Sequence, residues 1–152
     1  DRLDYFKEYQ FKRKAGMGLH PGRSVGRQGE IASLNLLPKS VLVNNADNDI
    51  LWNGKKVEVK TSNLTNFRVG YKDKTYNYNR WHFHTKRQAG RADYFLFVCL
   101  SKNNIGSVKN GVDIKIERTY FVPGKYIGKK RGITIRENSN YLSQFILKRG
   151  VN

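Results

Sequence analysis

Hydrophobic and polar positions follow different periods along the first half of the chain, and these periods predict helices followed by strands. Residues 3–14 and 24–37 show helical periodicity, with Ser24 as a candidate N-cap of the second helix and Pro38 as its stop. Short strands are predicted over residues 40–44, 50–52 and 55–60. The chain therefore begins, on this prediction, with two helices and a three-strand meander.

The second half of the chain is predicted to be mainly strand. Residues 92–100 are almost continuously apolar, which is typical of a buried central strand. Residues 64–79 have weak strand character, and strands are also predicted over 81–84, 114–122 and 133–136. Asn138 or Ser139 is a candidate cap for a final helix. With no repeat and no linker in view, we predict one domain over residues 1–152, of mixed α/β (α+β) class, with a central mixed sheet flanked by helices.

The charge of the chain indicates what it binds. The 152 residues include 29 Lys and Arg but 12 Asp and Glu, a formal net charge of +17. Nucleic acid is the first partner such a charge suggests, and an anionic membrane surface is the second. No apolar run approaches the ~18 residues of a transmembrane helix, which excludes a membrane protein, and of the two polyanionic partners we expect nucleic acid and no membrane. Cys99 is the single cysteine, which excludes a disulfide within the chain and favours a reducing, intracellular compartment.

One predicted hairpin brings acidic residues together. Asn53-Gly54 is the strongest two-residue turn signal for a hairpin, and it places Trp52 opposite Lys55. Extending that register places Asp49 opposite Glu58, with β-carbons ~4.5–5.5 Å apart. Lys60 lies two residues beyond Glu58 and therefore projects from the same face of the strand.

Two opposed carboxylates destabilise a sheet unless something relieves them. The relief is a shared proton, a neighbouring lysine (Lys56 or Lys60) or a divalent cation. Mg²⁺ is commonly held by one or two carboxylates together with water and phosphate oxygens. The alternative is a solvated edge strand, in which alternating lysines and acids merely prevent aggregation.

Asp49 and the later Glu58-Val59-Lys60 resemble the Asp…Glu-x-Lys motif of the PD-(D/E)xK nuclease superfamily. The resemblance covers residues 22–100 as a nuclease core, with 101–152 as a C-terminal extension of strands and a helix. It implies a core of helix, three-strand meander, helix and strand. The size and charge are most similar to the small homing endonucleases of this superfamily that phages and introns encode, and archaeal-type Holliday-junction resolvases are also similar.

The resemblance implies roles for four residues. Asp49 and Glu58 would be metal ligands, Glu30 an additional ligand or water contact, and Lys60 the group that orients or activates water. The implied activity is Mg²⁺-dependent hydrolysis of phosphodiester bonds in double-stranded DNA at a specific sequence, with Mn²⁺ as a substitute. Cutting both strands needs two active sites, so a homodimer or homotetramer is expected. A junction resolvase and a non-catalytic DNA- or RNA-binding protein remain as alternatives.

Basic and aromatic residues interleave in a way that is typical of nucleic-acid contact. Segment 66–87 carries most of them and lies directly after the motif strand, so we predict that it reads the DNA sequence. His82 and His84 lie two residues apart and would line the DNA cleft or serve the structure. The predicted DNA-binding residues are Lys12, Arg13, Lys14, Arg68, Tyr71, Lys72, Lys74, Arg80, His82, His84, Lys86 and Arg87.

Overall fold

A computed structural model describes residues 21–43, 49–102 and 115–147. The predicted helix over residues 3–14 lies outside these ranges. The first described element is the helix α1, Pro21–Leu36. It begins three residues before Ser24, at a proline, whose fixed φ suits the first position of a helix. It ends two residues before Pro38, close to the predicted end.

Along the described ranges the chain then forms eight strands in two sheets. They are β1 (Val41–Leu42), β2 (Ile50–Trp52), β3 (Lys55–Asn63), β4 (Thr65–Tyr71), β5 (Lys74–His84), β6 (Tyr94–Leu100), β7 (Ile116–Pro123) and β8 (Gly132–Arg136). Sheet A has the order β1-β2-β3-β6-β7, and sheet B has the order β4-β5-β8. In sheet A, β3 and β6 are parallel and the other neighbours are antiparallel. A short helix α2, Gly124–Ile127, follows β7. The class is thus α+β with a mixed central sheet.

Sheet A is covered on both faces. Val57 and Val59 of β3 pack in one cluster with Leu96 of β6 and with Leu37, just after α1. The opposite face of β6 presents Phe95, Phe97 and Cys99, which pack with side chains from sheet B. Trp81 anchors that second layer, because its buried indole Nε1 donates a hydrogen bond to the Leu100 carbonyl at 2.8 Å. Sheet A therefore lies between α1 and sheet B.

The predicted central strand and hairpin are confirmed. Every residue from Phe95 to Leu100 is buried. Asn53 and Gly54 have φ values of 50° and 75°, the left-handed pair that a tight hairpin turn requires. Ile50 pairs with Val57, and Trp52 pairs with Lys55, as the turn predicted.

One predicted helix is wrong, and a second helix, which only the resemblance implied, is not formed. The second core helix that the resemblance implied is not formed within residues 64–91, which contain β4, β5 and a single 3-10 turn, Lys86–Gln88. The strand character predicted for residues 64–79 and 81–84 is confirmed instead, since aromatic side chains that alternate with polar ones favour strands. The final helix is replaced by turns and a 3-10 turn, Ser143–Phe145. Leu142 has a φ of 61°, which ends any helix, and Ile146 pairs with Tyr120 of β7 instead.

Gly29 allows α1 to approach β3 closely. A methyl group at position 29 would overlap the Thr61 Oγ1 atom of β3, whereas a methyl group at Gly26 would meet no atom within 4 Å. Close contact at this point also decides where the next residue, Glu30, lies relative to the sheet.

We expect Gly29→Ala to destabilise the fold by about 1–3 kcal/mol because it overpacks this contact. Gly26→Ala is the matched control in the same helix, and it should stabilise the fold by roughly 0.5–1 kcal/mol because alanine favours helix. Urea unfolding of both variants measures the difference. Equal effects of the two substitutions would contradict the close packing of α1 on β3.

Candidate active site

The β2–β3 hairpin places Asp49 beside Glu58. The backbone N–H of Asp49 donates to the Val57 carbonyl at 3.1 Å, which continues the hairpin ladder one residue beyond β2. The Asp49 Oδ2 atom then accepts a hydrogen bond from the backbone N–H of Val59 at 2.9 Å. The Asp49 carboxylate, rather than a backbone carbonyl of β2, therefore accepts the hydrogen bond from the Val59 N–H where the pairing of β2 with β3 ends.

Glu58 is an acidic residue buried in the sheet. It is 6% exposed, and it pairs across the ladder with Phe95 on the face of sheet A that sheet B covers. Lys60 lies on that same face, and its Nζ atom is 3.4 Å from Glu58 Oε1. A solvated edge strand would leave the Glu58 carboxylate in water, so its burial argues against that alternative.

Glu30 reaches the same cluster from the helix on the other side of sheet A. Its carboxyl group lies within hydrogen-bonding reach of the Asp49 carboxyl group, because α1 packs closely on β3 at Gly29. Asp49 also contacts Glu58 through its side chain. The structure thus brings together all four residues proposed for catalysis, from α1, the start of β2 and β3.

Burial raises the pKa of both Asp49 and Glu58, and at Glu58 repulsion by Asp49 adds to the effect. Burial, and next the neighbouring Asp49 carboxylate, raise the pKa of Glu58 from its usual 4.5 to about 8, and Lys60 only partly opposes the shift. Burial also raises the pKa of Asp49, against the lowering effect of the Val59 N–H. At neutral pH and without a cation, Glu58 therefore tends to keep its proton, which it can share with the adjoining Asp49 carboxylate.

In metal-free solution we expect the free energy of unfolding to fall as the pH rises from about 4.5 to about 8, because Glu58 lies buried beside Asp49. In that window folded Glu58 keeps its proton while unfolded Glu58 has released it. The folded state binds more protons, so raising the pH favours unfolding. Thermal unfolding in EDTA across this window measures the slope.

Glu58→Gln is the control for this pH dependence, because glutamine resembles the protonated side chain and does not titrate. Its melting temperature should depend less steeply on pH than that of the wild type. Parallel curves for the two proteins would show that Glu58 ionises normally in the folded state.

The donor set suits a hard cation only in part. Two touching carboxyl groups are the protein ligands that Mg²⁺ typically uses, with water and phosphate oxygens completing the shell. Within residues 21–43, 49–102 and 115–147, no group of three or more His, Cys, Asp or Glu side chains is arranged to hold a metal ion. A site on this protein would therefore rely on substrate oxygens and water as well as on Asp49 and Glu58.

The predicted DNA-binding residues lie in several different parts of the chain. Lys12, Arg13 and Lys14 lie outside the described residues. Four residues lie on the hairpin formed by β4 and β5, here called the hairpin arm (residues 65–80), where they are exposed: Arg68, Tyr71, Lys72 and Lys74. Lys86 and Arg87 are exposed in the 3-10 turn after β5. Arg80 is partly buried, and its guanidinium lies 3.8 Å from the Phe67 ring centroid.

The two histidines do not join the carboxyl cluster. Trp81 and Phe83 face sheet A, so His82 and His84 project from the other side of sheet B. His82 Nδ1 lies 2.7 Å from Thr134 Oγ1, and its ring meets that of His84 edge-on at 4.8 Å. Partial burial, and then the charges of His84 and Arg80, lower the pKa of His82. The histidines thus belong to the outer surface of sheet B.

The sequence interpretation missed three asparagines on the hairpin arm. Asn66, Asn77 and Asn79 line one side of a cleft of about 520 Å³. Asn66 and Asn79 are paired across the ladder, and Arg68 pairs with Asn77. The signal was present as period-2 spacing of polar residues, but a cross-strand face becomes visible only once the turn at residues 72–73 is known.

Comparison of the chain with protein-family models, with curated protein sequences and with solved structures gave no match. The likeness to the PD-(D/E)xK superfamily therefore rests on the motif residues themselves. No helix within the described residues is both long enough and apolar enough to cross a bilayer.

Proposed function

We propose that this protein is a metal-dependent endonuclease that hydrolyses phosphodiester bonds in double-stranded DNA. The observation that carries the proposal is the meeting of Asp49, the buried Glu58 and Lys60 at one point of the sheet. Such an arrangement lowers the stability of the folded state, and clusters of strongly perturbed titratable groups are typical of functional sites. The net charge of +17 supports a polyanionic substrate.

In this proposal Asp49 and Glu58 would hold Mg²⁺, or Mn²⁺ in its place. When bound, the cation would act as a Lewis acid towards the scissile phosphate. Its charge would also replace the protons that the two carboxyl groups otherwise share. Glu30 contacts Asp49, and it would orient that carboxylate or hold a water molecule.

Lys60 would act directly on the reaction. Its ammonium group is held beside Glu58 at 3.4 Å, where it would orient the attacking water and offset charge that develops on the phosphate. Water attacks phosphorus in line with the leaving group, and the bond to the 3′-oxygen breaks. The products would be a 3′-hydroxyl and a 5′-phosphate.

Breaking both strands of a duplex requires a second active site. We propose that a homodimer or homotetramer supplies it, since two-fold symmetry would match the two strands of a partly palindromic target. A homing endonuclease is the variant of the proposal that best fits a single small chain of this charge.

The test is incubation with a randomised linear duplex pool in Mg²⁺, Mn²⁺ or EDTA, followed by sequencing of the new ends. We expect cleavage in either metal and none in EDTA. Four-way junction DNA of matched length is the parallel substrate, and a strong preference for it would favour a junction resolvase. Binding without cleavage of any DNA in either metal would overturn the enzyme proposal and favour a non-catalytic DNA- or RNA-binding protein.

A further inference from the structure

The hairpin arm extends beyond the rest of sheet B. β8 pairs with β5 only from Arg80 to His84, so within the described part of the chain residues 74–79 have β4 as their one strand partner, and only the Asn79 carbonyl also accepts a backbone hydrogen bond, from the Glu137 N–H just past β8. Six residues of strand span about 20 Å. The arm is thus a two-stranded ribbon. The major groove of B-form DNA is about 12 Å wide and admits a two-stranded β-ribbon.

The two faces of the arm have different chemistry. On one face the cross-strand pairs are Asn66 with Asn79, Arg68 with Asn77, and Gly70 with Thr75. Apart from the half-buried Asn79, these residues are exposed. We call this the polar face. Apart from glycine, every residue on this face has a side chain that can donate a hydrogen bond, and asparagine and threonine can also accept one.

The opposite face stiffens the arm. Phe67 packs on Tyr78 with ring centroids 5.6 Å apart. The Arg80 guanidinium lies 3.8 Å from the Phe67 ring centroid, and that of Arg136 lies 4.0 Å from the Tyr78 ring centroid. An isolated two-stranded hairpin is only marginally stable, so these stacks would keep the arm in one shape before it meets a ligand.

We propose that the polar face of the hairpin arm reads base edges in the major groove of duplex DNA. The inference rests on the proposed function and adds to it the surface that sets the target sequence. Arginine pairs with guanine through two hydrogen bonds, asparagine pairs with adenine in the same way, and threonine contacts the thymine methyl group. Arg68 and Asn77, which are paired with each other, and Thr75, in the next pair on the same exposed face, would supply these three contacts.

The asparagines at the base of the arm are already oriented. Asn66 Nδ2 donates to Asn79 Oδ1 at 3.1 Å, and Asn79 Nδ2 donates to Glu137 Oε1 at 3.2 Å. The cleft of about 520 Å³ keeps this side of the arm open to a ligand. Side chains held in place in this way lose little conformational entropy when they bind.

B-form DNA fits this surface better than double-stranded RNA. The major groove of A-form RNA is too narrow and deep for side chains to read. A ribbon with readout groups on one face therefore has no comparable groove to enter in an RNA duplex.

The arm is also joined closely to the candidate active site. β4 follows β3 after the single residue Leu64, and the backbone N–H of His82 donates to Ser62 Oγ at 3.2 Å. Ser62 lies on the same face of β3 as Lys60, two residues further along. Reading and cleavage would therefore keep a fixed offset along the DNA.

The experiment is selection of bound sequences from a randomised duplex pool in EDTA, for the wild type, Arg68→Ala and Asn77→Ala. We expect each variant to lose discrimination at one or two base positions, by about 5- to 150-fold, the range that one good base contact provides. Because both side chains are exposed, the melting temperatures should stay close to that of the wild type.

Two lysine variants separate base reading from phosphate contact. Lys74→Ala, at the tip of the arm, should weaken binding to all sequences alike and lower the salt dependence by about one counterion. Lys125→Ala removes the same charge from the opposite end of sheet A, where the backbone N–H of the neighbouring Gly124 donates to the Asp93 carbonyl just before β6. It should leave the sequence preference unchanged.

The outcomes distinguish this inference from the proposed function. Cleavage in Mg²⁺ with a sequence preference that Arg68→Ala and Asn77→Ala leave intact would overturn the reading role alone. Cleavage with no sequence preference in the wild type would do the same. Failure to bind any DNA duplex would overturn both the reading role and the nuclease.

Discussion

Lys60→Ala is expected to lower the rate of DNA cleavage by about 10²–10⁴-fold, the usual contribution of one positioned acid–base or electrostatic group. Duplex affinity should change little, because Lys60 supplies one of 29 basic side chains. The reason is local. The Lys60 ammonium is held 3.4 Å from the buried Glu58 carboxyl, at the place where we propose that the phosphate binds.

Lys56→Ala is the matched control for this variant. Lys56 lies on the same strand and projects from the same face, four residues before Lys60, but it is exposed. The two variants have the same net charge. Single-turnover cleavage and duplex binding in EDTA should be measured for both. An equal loss of rate in the two would show that bulk charge, rather than a positioned ammonium, accounts for the effect.

Local rules were sufficient to predict the hairpin. Asn53-Gly54 adopts positive φ at both positions, which few other dipeptides tolerate. The pairing of Ile50 with Val57 follows from that turn, and so does the approach of Asp49 to Glu58. For the same reason the central strand was predictable, since a long apolar run has few alternatives in a chain this polar.

Tertiary packing decided what the sequence could not. Glu30 lies in a helix that was predicted, but its contact with Asp49 depends on how closely Gly29 lets that helix approach β3. Similarly, the burial of Glu58 required a second sheet above it. Neither the contact of Glu30 with Asp49 nor the burial of Glu58 can be predicted from a local sequence pattern.

The final helix that the sequence predicted and the second core helix that the resemblance implied are not formed, and the common cause is competition from strand pairing. Residues 65–80 have alternating aromatic and polar side chains, and their mutual pairing and the stacks on Phe67 and Tyr78 favour a ribbon. Residues 138–147 have a helical apolar period, yet Leu147 donates to the Thr119 carbonyl along β7. Propensity is a weak prior, and an available sheet edge overrides it.

Glu58→Gln should change stability and activity in opposite directions. The substitution keeps the size of the side chain and removes a buried charge that Asp49 repels. At about pH 8 we expect the melting temperature to rise by about 2–4 °C, the shift that about 1 kcal/mol causes in a domain of this size. Cleavage should fall by about 10²-fold or more, which corresponds to roughly 2.7 kcal/mol of transition-state stabilisation.

The sign of the stability change depends on pH in a specific way. The pKa of Glu58 is raised to about 8 in the folded state, above its usual 4.5. The free energy of unfolding that the wild type loses through Glu58 therefore grows from about pH 4.5 to about pH 8 and is constant above that. The advantage of glutamine should follow the same curve, and it should disappear below about pH 4.5.

Adding Mg²⁺ gives the second half of the test. A cation that binds the folded state of the wild type should raise its melting temperature, while Glu58→Gln should respond much less because one of the two carboxylate ligands is missing. Glu117→Gln is a suitable control, since Glu117 is exposed on β7. It should show the wild-type response to Mg²⁺ and wild-type cleavage. A Glu58→Gln protein that is less stable than the wild type at about pH 8 would contradict the raised pKa of Glu58. One that still cleaves DNA at the wild-type rate would show that Glu58 takes no part in the reaction.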